Sequence, residues 1–203
     1  MLARVSNIEA HRRWMNWKPL FEGQDEPSLD DLIRQITTDE PSEAMMAGTA
    51  FHAAIEAAGD GDHETFEADG FRFILPDADI ALPVIRELRG FKDYGDLLVT
   101  GKVDCLDGKV VIDHKTTSRV DFERYLEGCQ WRFYLDIFEA DVFRWHVFEL
   151  KEVGDKTYEV KPPQTLEARR YPELGADCER LAAEFHEFAI RVGLPDSRLE
   201  DAA

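Results

Sequence analysis

At 203 residues and 44% hydrophobic content, the chain is long enough for one domain with a real core and too apolar to be disordered. Its formal net charge of −18 counts against a protein that wraps nucleic acid with its whole surface, although 24 Lys and Arg remain to line a local groove. No apolar run approaches the ~20 residues that span a bilayer, and the N-terminus lacks a charged-then-apolar signal pattern, so a cytoplasmic protein without membrane contact is expected.

Ser6 followed by Glu9 has the form of a capping box and predicts a helix through about Trp17 that carries His11, Arg12, Arg13 and Trp14. Residues 21–30 are polar and turn-rich, and Asp30–Ile36 reads as a short helix. Ala44–Ala58, rich in alanine and methionine with apolar residues at helical spacing, is a helix ending near Gly59. After a loop over Asp60–Glu64, Thr65–Leu75 reads as a strand with Phe66, Phe71 and Phe73, broken by Pro76. Asp79–Arg89 reads as a helix despite Pro83. Asp107-Gly108, between β-branched apolar runs, predicts a hairpin over roughly 94–116. Asp121–Glu139 is read as one long amphipathic helix with a stripe of Phe122, Tyr125, Leu126, Phe133, Ile137 and Phe138. Val142–Leu150 and Thr157–Lys161 form a second strand pair about Gly154-Asp155, closed by Pro162-Pro163. Gly175–Val192 is a C-terminal helix, followed by a loose tail beyond Gly193. The sum is a mixed α/β (α+β) core in a single domain over 1–203, with an N-terminal helical segment 1–40, a core at about 44–162 and the C-terminal helix at about 175–192.

The hairpin carries the chemistry. Asp113 and Lys115, two apart, point to one face of a strand, and Asp104 can reach that face from the neighbouring strand. Two acids beside a lysine suit a hard divalent cation, which takes oxygen ligands, lowers the pKa of a water and polarises a phosphate. An ordinary hairpin with a charged wet side is the commoner meaning of so short a pattern. What shifts the balance is its company. His52 stands on the helix before the sheet, in Gly48-Thr-Ala-Phe-His52, with Glu56 one turn later. Gln130 and Tyr134 share a face of the helix after the hairpin.

The order Gly-x-x-x-His52, Asp104, Asp113-His114-Lys115, Gln130-x-x-x-Tyr134 resembles the PD-(D/E)XK nuclease superfamily, specifically its RecB-like exonuclease branch, over roughly residues 44–150. The segment Val5–Trp14 is also similar to the first helix of that branch. The resemblance implies a restriction-endonuclease-like αβββαβ core, a mixed sheet flanked by helices. It implies an enzyme, a Mg²⁺- or Mn²⁺-dependent deoxyribonuclease, exonuclease rather than endonuclease. Asp104, Asp113 and the backbone carbonyl of His114 would ligate the metal, with His52 as a further ligand. Lys115 would position or activate the attacking water. Gln130 and Tyr134 would hold the DNA strand or Lys115.

The hydroxyls of Thr116, Thr117 and Ser118 are candidate phosphate donors, and Arg12, Arg13, Arg119, Arg124 and Arg132 candidate backbone contacts. Trp14 and Trp17 can stack on bases, with core packing the stronger expectation for both. Relatives that carry an iron–sulphur cluster use four cysteines. The three here, Cys105, Cys129 and Cys178, are scattered, so no cluster is expected and free thiols in a reducing cytosol are. No G-x-x-x-x-G-K-[ST] loop is present, so no helicase motor is expected in this sequence. A free-standing version resembles phage recombination exonucleases, which implies a bacterial or phage-infected cytoplasm, a role in recombination or repair, DNA as partner, a homo-oligomer and a single-strand annealing protein. Three readings compete with it. A catalytically inactive nuclease-fold binding protein has no physical reason to retain the acid–acid–lysine set. An acidic DNA mimic is motivated by the charge of −18. Another phosphoesterase or an RNA nuclease is open, although nothing in the sequence reads a 2′-hydroxyl.

Overall fold

The computed structural model describes residues 1–19, 23–38, 43–58, 65–75 and 85–196. Gly108-Lys109, with Gly108 at φ +55°, is the two-residue loop that turns the chain between β5 (Leu98–Asp107) and β6 (Val110–Thr117), one residue later than the Asp107-Gly108 signal set it. In chain order these strands are preceded by β1 (Leu2–Arg4), α1 (Val5–Met15), α2 (Leu29–Thr37), α3 (Glu43–Ala58), β2 (Thr65–Ala68), β3 (Phe71–Ile74) and β4 (Ile85–Asp93). They are followed by α4 (Phe122–Glu127), α5 (Gln130–Ile137), β7 (Val142–Gly154), β8 (Thr157–Val160), β9 (Gln164–Arg169) and α6 (Leu174–Val192).

β4, β5 and β6 run antiparallel in sequence, and β7 joins β6 in parallel. A parallel pair needs a crossover, which α4 and α5 supply. The order α3–β4–β5–β6–α5–β7 is the expected αβββαβ core, with the β2–β3 hairpin inserted after α3. β7 is long enough to serve two neighbourhoods. Its first half pairs with β6 and β9, and its second half pairs with β8, which carries β3 and β2. Two apolar cores result. One packs α1, α5 and α6 on the sheet through Ile8, Val103, Phe133, Phe143 and Phe185. The other gathers Phe51 and Ile55 of α3 with Phe73, Phe148 and Val160. Among the described residues no helix is long and apolar enough to cross a membrane.

Several local expectations give way to tertiary pairing. Thr65–Leu75 is not one strand: Asp69-Gly70, both at positive φ, folds it into a hairpin. The described part of the expected 79–89 helix, from Ile85, is strand, because β5 offers β4 an eight-residue edge that outweighs local propensity. The rest of that expectation, with Pro76 and the 60–64 loop, lies outside the described residues, as does 197–203 of the tail. The expected 121–139 helix is two helices, parted where Gly128 adopts extended backbone. The short β1 and β9 had no alternating signal of their own. α1 forms, but Arg4 is its N-cap and no side chain caps it. The capping box instead opens α2, where Ser28 and Asp31 exchange bonds. The 44–58 and 175–192 helices stand within a residue or so of the expectation.

One close approach fixes how α5 sits on β5. A Cβ added at Gly101 meets Tyr134 Cε1 at 2.5 Å and Val5 Cγ2 at 3.3 Å. Gly101→Ala is expected to overpack this contact and to lower unfolding free energy by about 1–3 kcal/mol. A urea midpoint equal to that of the unaltered protein would refute the tight approach.

Candidate active site

The site begins where a β ladder stops. β1 and β6 share one edge of β5: β1 pairs with Leu98–Thr100 and β6 with Cys105–Asp107, while β4 holds the opposite edge. The β5–β6 register, continued one residue past Cys105↔Ile112, sets Asp104 opposite Asp113. Backbone pairing ends there. The His114 N–H donates to Asp104 Oδ2 at 2.7 Å, so a side-chain carboxylate takes the place of a strand carbonyl. That bond satisfies a buried donor and fixes Asp104 at the mouth of the fork.

Asp113 and Lys115 project from the same side of β6, as period two dictates. Lys115 Nζ lies 3.0 Å from Asp113 Oδ1 and 2.9 Å from Oδ2. Gln130 Nε2 adds a long bond to Oδ1 at 3.4 Å. Asp113 is 2% exposed. Burial pushes its carboxyl up, Lys115 draws it down and Asp104 pushes it up again, with a net rise. Burial alone would lower the Lys115 ammonium, but Asp113 and Asp104 more than reverse this and hold it as a cation. Tyr134 lies near Lys115, and its hydroxyl donates to the Lys102 carbonyl at 2.9 Å and braces β5. Burial and the nearby Asp113 push its phenol up to about 12, so it stays a donor.

α3 reaches the site from the second core. A Cβ at Gly48 stands 2.9 Å from Thr116 Oγ1, so the helix backbone packs directly on the end of β6. One turn on, His52 Nδ1 lies 3.6 Å from Asp104 Oδ2. The Glu56 side chain lies outside the described ones. The His114 ring points away from Asp113, its centroid 6.1 Å from His52, 5.6 Å from His146 and 5.9 Å from Phe148. Its Nε2 is buried without a hydrogen bond.

A cavity of about 730 Å³ opens from Lys115. Among the described residues, its walls carry, besides Lys115, five cations, Arg12, Arg13, Lys18, Arg124 and Arg132, against two acids, Glu9 and Glu127. Thr116 and Thr117 line it, as does Gln130; Ser118 and Arg119 do not. Thr117 Oγ1 is occupied locally, donating to the Arg119 carbonyl at 2.7 Å. Trp14 packs on the first core as expected, whereas Trp17 lines the cavity. Sequence reasoning missed Glu9, Lys18, Tyr125 and Trp145, which reach this wall from four separate elements or loops. Only Glu9 left a signal, and that signal was misread.

The donors suit a hard cation. Asp104 and Asp113 stand in facing register, and Asp113 Oδ2 is buried with the Lys115 ammonium 2.9 Å away as its ion-pair partner. As the side chains stand, no group of three or more His, Cys, Asp or Glu among the described residues is close enough to hold an ion. Two carboxylates with His52 beside them fit such a cation in chemistry.

The His114 imidazole titrates well below its usual range, at about 4, because it is buried and lies near His52 and His146. An unfolded histidine takes up its proton near pH ~6.5. The unfolded chain therefore binds more protons between these values. This contribution to stability is full above pH ~6.5 and is lost as pH falls towards 4, by about 3 kcal/mol in total. Urea unfolding at pH 7 and at pH 4 should show a drop that His114→Phe reduces by that order. An equal drop in both proteins would refute the assignment.

No protein-family model matches the chain, and no curated protein sequence does either. Solved structures do. A candidate exonuclease from Eubacterium rectale superposes with TM-score 0.55 at 12% identity, over 96% of this chain and 83% of that one. LHK-Exo, solved in complex with dAMP, superposes with TM-score 0.51 at 14% identity, over 99% of this chain and 94% of that one. SSO0001 gives 0.50 at 14%, over 92% and 76%. At such identities the likeness concerns the fold. In fold, this chain is similar to these solved exonuclease structures.

Proposed function

We propose that the protein is a divalent-metal-dependent DNA nuclease, and an exonuclease rather than an endonuclease. The observation that carries this reading is a buried carboxylate, Asp113, pinned by Lys115 at 2.9 Å beneath a cavity with five further cationic side chains. A chain of net charge −18 has placed its positive potential at the candidate chemical centre. Such focusing attracts a polyanion locally while the outer surface repels it.

Asp104, Asp113 and His52, with the His114 carbonyl, are the groups that would hold Mg²⁺ or Mn²⁺. When bound, the ion supplies Lewis-acid polarisation of a phosphate and a more acidic water. Lys115, paired with Asp113, would offset charge that develops on the phosphate and position or activate the attacking water. Gln130 holds Asp113, and Tyr134 holds the strand that carries Asp104. Arg12, Arg13, Lys18 and Arg124 contact the sugar–phosphate backbone, with Thr116 as a hydroxyl donor; Tyr125 and Trp17 offer stacking surfaces. Ser118 and Arg119 lie outside the cavity and are assigned no contact. An exonuclease of this kind suits phage-type recombination or repair in the cytoplasm, as a homo-oligomer working with a single-strand annealing protein.

The test is cleavage of end-labelled linear duplex, closed circular duplex, single strands and RNA, with Mg²⁺ and with EDTA. Linear DNA alone is expected to be degraded. Lys115→Ala and Asp113→Ala should each lower the rate at least ~10²-fold. Soluble protein that cleaves nothing in Mg²⁺ or Mn²⁺ would sink the nuclease reading and favour a binding protein or a DNA mimic.

A further inference from the structure

Glu9 belongs to α1, yet its carboxylate serves a helix 120 residues later. Its Oε2 accepts the Cys129 N–H at 2.6 Å and the Gln130 N–H at 3.1 Å. These are free donors at the start of α5, where a helix favours a negative charge. The start of α5 is where Gln130 sits, and Gln130 Nε2 reaches Asp113 Oδ1 at 3.4 Å. The fit around the carboxylate is close. A Cβ at Gly128 would stand 2.7 Å from Glu9 Oε1, so a larger residue there would push against this carboxylate. Arg13 lies 3.8 Å from the same oxygen and holds Glu9 from its own helix. The Glu9 side chain is 17% exposed, and Glu9 lines the cavity wall.

We propose that Glu9 is a positioning residue for the nuclease centre: it anchors α5 so that Gln130 holds Asp113 in the orientation the reaction needs. The proposal rests on the nuclease reading and adds a part to it. Glu9 touches neither Asp113 nor Lys115 and acts only through Gln130. Loss of the anchor leaves the fold but lets the start of α5 drift. A displacement of about 1 Å at a reacting group can lower a rate by about 10²-fold. Since the affected group acts in the transition state more than in binding, the loss falls on kcat rather than KM.

The experiment measures kcat and KM on linear duplex DNA with Mg²⁺ for Glu9→Ala, Glu9→Gln and Gly128→Ala, together with the side-chain amide resonances of Gln130. Glu9→Ala is expected to lower kcat about 10- to 100-fold with KM within about 2-fold. Glu9→Gln, which keeps an acceptor oxygen, should recover most of the loss, and Gly128→Ala, which crowds that oxygen, should resemble Glu9→Ala. A folded Glu9→Ala with unchanged kcat overturns the proposal, as does an equal loss in Glu9→Gln. Should Glu9→Ala fail to fold, Gly128→Ala decides by the same criterion. If the unaltered protein cleaves no nucleic acid, the nuclease reading falls, and the Gln130 amide decides the anchoring: a shift in Glu9→Ala that Glu9→Gln reverses supports it, and unmoved resonances overturn it.

Discussion

The hydrogen bond from the His114 N–H to Asp104 is the constraint from which the candidate site follows. β5 cannot carry β1 and β6 along its whole edge, so its ladder is interrupted between Thr100 and Cys105. An unpaired buried N–H costs about 1–3 kcal/mol. Asp104 removes that cost with a carboxylate, and so a charged group is held at a point where an all-backbone sheet would place none. Just past the fork, Asp113 and Lys115 stand free of β5, and Lys115 lines the cavity.

Burial then decides how these charges coexist. A carboxylate as deeply buried as Asp113 is tolerable only with a partner, and Lys115 spans both its oxygens. The ammonium in turn sees two acids, which keep it charged. The result is a compact, poised cluster at the base of a basic cavity, in a molecule whose outer surface is strongly acidic. The same residues that stabilise one another without a ligand are those with donors for a hard cation and charge for a phosphate.

The two apolar cores meet at this cluster and hold it from separate directions. α3 is seated by Phe51 against Phe73 and Phe148, and Gly48 lets it settle on Thr116. α5 is seated by Phe133 and Leu135, and Gly101 lets Tyr134 lie flat on β5. A small residue at each contact brings a helix close enough for its polar side chains to reach the strands. The N-terminal helix closes the arrangement, with Glu9 tying it to α5 and Arg12 and Arg13 turned to the cavity.

The sequence by itself determined the β5–β6 hairpin, the placing of Asp113 and Lys115 on one face of a strand, and the α3 and α6 helices, because turn chemistry, period two and helical periodicity are local properties, whereas the αβββαβ order followed only from the family resemblance. It also brought out His52, Gln130 and the arginines near the site by residue type and order. Only the tertiary structure decided that 85–93 is a strand, that 121–139 breaks at Gly128, that Tyr134 braces Lys102 and that Glu9 caps α5 instead of α1. Each of these depends on a partner far away in the chain: the edge of β5, a carboxylate from α1, a carbonyl 32 residues back. Local pattern carries no record of such partners, so a helix-like spacing yields to a free strand edge, and a capping motif yields to a better set of unpaired N–H groups.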